Sequence, residues 1–60
     1  MKTVLYDKST NVYAGLDSKA QITMEETSKT AVQFDERDNM PMKVRFYNMV
    51  TGMRFESVEA

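Results

Sequence analysis

A chain of 60 residues that contains neither cysteine nor histidine has to fold on packing alone. Domains of this size bury only about 60% of their unfolded surface, so the core is thin. Small domains commonly compensate with disulfides or a structural metal. Disulfides are excluded here, and so are zinc sites built on imidazole and thiolate. Tight packing and self-association remain. The length allows one domain, residues 1–60.

The stretch LYDKSTNVYA, residues 5–14, is written almost twice: FYNMVTGMRF, residues 46–55, lays Tyr47 on Tyr6, Asn48 on Asp7, Thr51 on Thr10 and Gly52 on Asn11. Both phrases read as β-hairpins. β-Branched and aromatic residues flank each turn and suit a pleated, half-buried surface. Asp7 and Asn48 open the turns, where their side chains accept backbone N–H groups. Asn11 and Gly52 close them, where a left-handed residue is needed. The resemblance reads as one turn solution used twice, since only short-range turn chemistry matches.

A four-residue loop sets the register. In the first hairpin Tyr6 faces Tyr13 and Leu5 faces Ala14. In the second, Asn48 faces Met53, Tyr47 faces Arg54, Phe46 faces Phe55 and Arg45 faces Glu56. Alternation then puts Val44, Phe46, Met53 and Phe55 on an apolar face and Lys43, Arg45, Tyr47, Arg54 and Glu56 on the other.

The middle of the chain supports two readings. As strands, Ala20, Ile22 and Met24 alternate with polar residues, and Thr30, Val32 and Phe34 do so again. As a helix, Leu16, Ala20, Met24, Thr27, Ala31 and Phe34 make a stripe that Asp17 or Ser18 could cap. Ile22, Thr23, Thr27, Thr30 and Val32 favour strand. Residues 35–41 read as a loop, with Pro41 holding Met40 extended. The expected fold is therefore all-β: a small antiparallel meander of five or six short strands, curled toward an SH3-like barrel. The alternative is α+β, two hairpins flanking one helix within residues 18–34.

The residue types argue against an enzyme. The common nucleophilic triads and dyads need histidine or cysteine. Ser9 beside Lys8, and Ser28 beside Lys29, read as solvated turns, because lysine needs burial before it can act as a base. Gly15 and Gly52 are the only glycines and form no phosphate loop. Asp35, Glu36 and Asp38 lack the spacing of a calcium loop and enclose Arg37. No cofactor and no metal is expected.

Two binding surfaces stand out. Met40, Met42, Met49 and Met53, four of the six methionines, crowd into the last third, and Met49-Val50 projects from the expected hairpin tip. Methionine is over-used at adaptable binding surfaces. Met40, Met42, Met49, Val50 and Met53 are thus candidates for protein docking. Lys43, Arg45, Tyr47 and Arg54 are the alternative, a basic aromatic face that could follow single-stranded nucleic acid. Eight basic against nine acidic side chains, net −1, give no general drive toward nucleic acid or an anionic membrane.

The expectation is a non-catalytic protein-binding module, an inhibitor or adaptor of a larger protein, or a self-associating component. Single-stranded nucleic-acid binding is the alternative. After Met1-Lys2 the longest apolar run is Val4-Leu5-Tyr6, and no stretch approaches the ~20 apolar residues of a membrane span. The chain reads as a complete small frame for a cytoplasmic protein with no membrane association. Such frames are common among phage and mobile-element accessory proteins.

Overall fold

The structure, a computed structural model, describes residues 2–35 and 37–60. Three strands come first: β1 (Thr3–Asp7), β2 (Val12–Leu16) and β3 (Ile22–Glu25). One helix, α1 (Met40–Thr51), and a last strand, β4 (Glu56–Glu59), follow. The strands form one open sheet in the order β3-β2-β1-β4, every neighbouring pair antiparallel. The fold is α+β. This overturns the all-β meander and its SH3-like barrel: the described residues form four strands, not five or six, in an open sheet. The helix of the alternative reading is also misplaced, since it lies at 40–51 and not within 18–34.

The first hairpin follows its turn chemistry. Tyr6 pairs with Tyr13 and Asp7 with Val12. The Asp7 carboxylate accepts the Ser9 N–H at 2.9 Å, and Asn11 takes the left-handed conformation at φ 58°. The Tyr6 hydroxyl donates to Asn11 Oδ1 at 2.6 Å, and the Tyr6 and Tyr13 rings meet at 4.7 Å, tilted by 41°. The next turn is organised by Asp17, whose carboxylate accepts the N–H groups of Lys19 and Gln21. Ala20 is left-handed there at φ 61°. β3 then pairs along β2 from Leu16–Ile22 to Tyr13–Glu25.

The second phrase is not a hairpin. Residues 40–51 are helical because both ends carry helix signals that the hairpin reading assigned to turns. The Asn39 side chain accepts the Met42 N–H at 3.3 Å as an N-cap. Pro41 sits in the first turn, where its missing N–H and fixed φ do no harm. The loop expected over 35–41 therefore stops at Asn39. Gly52 ends the helix at φ 72°, its N–H reaching the Asn48 carbonyl at 2.8 Å. A left-handed residue closes a hairpin turn and a helix equally well.

Leu5, Ala14, Phe34, Tyr47 and Phe55 form the buried core, with Val12, Ile22, Val32, Met40, Val44 and Met53 packed around it. Phe34 meets Tyr47 edge-on at 6.0 Å. β1 is one of the two inner strands, and its Val4 and Leu5 are completely buried. Each such side chain contributes about 1.5–3 kcal/mol relative to exposure.

The second strand expected at 30–34 is reduced to a wedge. β1 and β2 keep register only at Tyr6–Tyr13 and Asp7–Val12. Beyond that point Val32 donates to the Ala14 carbonyl at 3.0 Å. Phe34 and Thr3 exchange two bonds of 2.8 Å. The segment thus bonds to both strands, and the expected Leu5–Ala14 pairing is replaced.

Candidate functional site

α1 carries two apolar stripes. Met40, Val44, Tyr47 and Thr51, spaced four, three and four, share the side that packs on the sheet. Met42, Phe46, Met49 and Val50, spaced four, three and one, share the other side. That second side faces water: Met42 is 63% exposed, Phe46 51%, Met49 74% and Val50 58%. An ordinary surface helix has a polar outer face. This one has a methionine-rich apolar face.

Lys43 and Arg45 are the only charged residues on the helix, and no carboxylate lies on it. Arg45 is exposed and, with Asn39, Pro41 and Met42, lines an open hollow of about 210 Å³ at the amino-terminal end of the stripe. The Lys43 ammonium lies 5.9 Å from the centroid of the Phe34 ring, so its stem lies toward the core.

The helix is held rigidly beneath this face. The Asn48 amide accepts the Phe55 N–H at 2.6 Å and donates to the Phe55 carbonyl at 3.1 Å. Thr51 donates to the Tyr47 carbonyl at 2.6 Å and accepts the Met53 N–H at 3.2 Å. The exit of the helix is thereby tied to the approach to β4.

Of the candidate docking residues, Met42, Met49 and Val50 lie together on the outward stripe, though on a helix rather than a hairpin tip. Met40 and Met53 do not join them and are half-buried against the core. Phe46 belongs to the stripe, whereas strand alternation sets it on the apolar face of a hairpin opposite Phe55. Its place follows from helical spacing once Asn39 and Gly52 are read as caps.

The candidate nucleic-acid face loses its scaffold, because residues 43–47 are not a strand. Tyr47 is only 5% exposed, its ring against Phe34, and burial pushes its phenol above the usual 10.0. It is not presented for stacking on a base. Arg45 stands on the helix, whereas Arg54 follows it and gives its backbone N–H to Asp7 Oδ2 at 3.2 Å.

Among the described residues no group of three or more acidic side chains is placed to hold a metal ion. Asp35 Oδ1 accepts the Arg37 N–H and Asp38 Oδ2 the Asp35 N–H, so both carboxylates shape their own loop. Glu36, the third member of the sequence cluster, lies outside the described residues. Ser9 donates its hydroxyl to Asp7, which makes it part of the turn. No helix among the described residues is long and apolar enough to cross a membrane.

No protein-family model matches the chain, and no curated protein or solved structure matches it.

Proposed function

We propose that this chain is a non-catalytic protein-binding module that docks a larger protein, as inhibitor or adaptor, through the outward face of α1. The observation that carries this reading is the exposed stripe of Met42, Phe46, Met49 and Val50. The four lie next to one another on one face of the helix, and contiguous exposed apolar side chains mark interaction sites more often than scattered ones do. Methionine suits the role because its unbranched thioether repacks against a partner at little cost. The helix beneath is already formed, with its exit tied to Phe55 through Asn48, which lowers the ordering cost of binding. The proposed setting is the cytoplasm, with which a cysteine-free chain is compatible.

The test is a pull-down from lysate of the source cell or its host, run with wild type and with Met42→Ser/Met49→Ser as bait. Each is assayed with and without nuclease. Circular dichroism first verifies that the variant melts like wild type. A stoichiometric protein partner that survives nuclease and is lost on the variant is expected. Equal capture by both baits, or capture that vanishes with nuclease, overturns the reading.

A further inference from the structure

We infer that the partner element is an acidic amphipathic segment, laid along α1 with its apolar side chains on the stripe and a carboxylate beside Arg45. This rests on the docking face proposed above and specifies what that face takes.

Charge is segregated along the chain. Residues 40–55 hold three of the eight basic side chains, Lys43, Arg45 and Arg54, and none of the nine acidic ones. That stretch carries +3 and the remainder −4. The helix that carries the stripe bears two basic side chains and no carboxylate, on a protein whose net charge is −1. Complementary potential selects partners and steers their approach. The hollow at Asn39, Pro41, Met42 and Arg45 puts a guanidinium next to apolar carbon at the end of the stripe. A carboxylate flanking a hydrophobic side chain fits that combination, and guanidinium can grip it with two parallel bonds.

Length follows from the helix. From Met42 to Val50 the stripe spans about 12 Å at 1.5 Å per residue. A partner of two to three helical turns covers it, the mode in which one amphipathic helix is read by anchors at i, i+4 and i+7.

Two other occupants fit less well. A second copy using the same face would set each basic stretch against itself, since a two-fold interface is self-complementary. An anionic membrane favours a helix whose far side is polar and wet. The far side of α1 is packed on the sheet.

The experiment pans a phage library of random 16-residue peptides on the immobilised full chain, with counter-selection on Met42→Ser/Met49→Ser. The clones that require the stripe should be enriched in Asp and Glu around Leu, Phe, Met or Trp. A synthetic consensus peptide should bind Arg45→Gln about fivefold more weakly than wild type at low salt, with the difference shrinking as salt rises. Stripe-dependent clones with no excess of Asp or Glu overturn this inference and leave the docking face standing. No stripe-dependent clone at all overturns a linear segment as the occupant, while the pull-down decides the docking face separately. Stripe-dependent sedimentation with phosphatidylglycerol vesicles, or a stripe-dependent dimer in analytical ultracentrifugation, overturns it in favour of a membrane or a second copy.

Discussion

The Asp7 carboxylate accepts the backbone N–H of Arg54, 47 residues further along the chain, at 3.2 Å. The same carboxylate organises the first hairpin turn through Ser9. One buried side chain therefore fastens the start of the sheet to the segment leaving the helix. The Ser9 hydroxyl is the largest influence holding its pKa below the usual 3.8, and the N–H groups of Arg54, Ser9 and Thr10 add to it against desolvation.

A depressed folded pKa has a definite sign. The anion is favoured in the folded state, so its contribution is complete above 3.8 and is lost as pH falls through the lower folded value. Asp7→Asn should lower the urea midpoint near neutral pH. The gap between variant and wild type should narrow in acid, below 3.8. A gap that stays constant through the acid limb would show that the charge is not what matters.

Asn48 makes two bonds to the Phe55 backbone with one amide. Asn48→Ala removes both and should cost about 2 kcal/mol in urea unfolding. Asn48→Asp keeps an acceptor for the Phe55 N–H but sets an oxygen against the Phe55 carbonyl. Hydrogen exchange separates the two: the Phe55 amide should exchange much faster in the alanine variant than in the aspartate variant, relative to each variant's global stability.

Gly52 and Ala20 form a reciprocal pair, both left-handed at φ 72° and 61°. Nothing lies within 4 Å of a Cβ built on Gly52, so Gly52→Ala meets only backbone strain, about 1 kcal/mol. Ala20→Gly relieves a similar strain, partly offset by the freer unfolded chain, for a net gain of about 0.5 kcal/mol. Thermal melts of the two variants should move in opposite directions. A fall in both would contradict the strain at Ala20.

Gly15 is buried where β2 meets β3. A Cβ there would lie 2.6 Å from Glu25 Cγ and 2.7 Å from Thr23 Oγ1. Thr23 is itself bonded to the Glu25 carboxylate at 2.6 Å, so these neighbours are not free to move aside. Gly15→Ala should destabilise by about 1–3 kcal/mol. In a Thr23→Ala/Glu25→Ala background the same change should cost clearly less, and a double-mutant cycle measures the difference.

What was legible in the amino-acid sequence was local. The Asp7-to-Asn11 turn carries its conformation in its own side chains, and the Tyr6–Tyr13 register follows from it. Ile22 and Met24 announce a strand by alternation. Asn48-Met49-Val50-Thr51-Gly52 misleads because a hairpin turn and a helix end make the same demand on the last residue. The distinguishing signals, Asn39 and Pro41, lie nine and seven residues upstream of Asn48. Phe46, Tyr47, Val44 and Val50 have modest helix propensity, so the docking of Val44 and Tyr47 on the sheet decides the conformation. Met42, Met49 and Val50 were visible as apolar residues without an obvious interior. Phe46 was not, because strand alternation sets it opposite Phe55 on the apolar face. The wedge at Val32–Phe34 and the β1–β4 pairing depend on partners 18 and more residues away, beyond any local pattern.

The pairing of β1 with β4 sets an order of events. Thr3 faces Glu59 and Val4 faces Val58, so the first strand to leave the ribosome has its second neighbour among the last residues described. Until residues 56–59 emerge, one edge of β1 stays open. Its other edge awaits Phe34 at Thr3. Before then the chain can form at most the β1–β2–β3 part of the sheet, with neither α1 nor β4 packed on it. The sheet is therefore complete only once residues 56–59 are available to pair with β1.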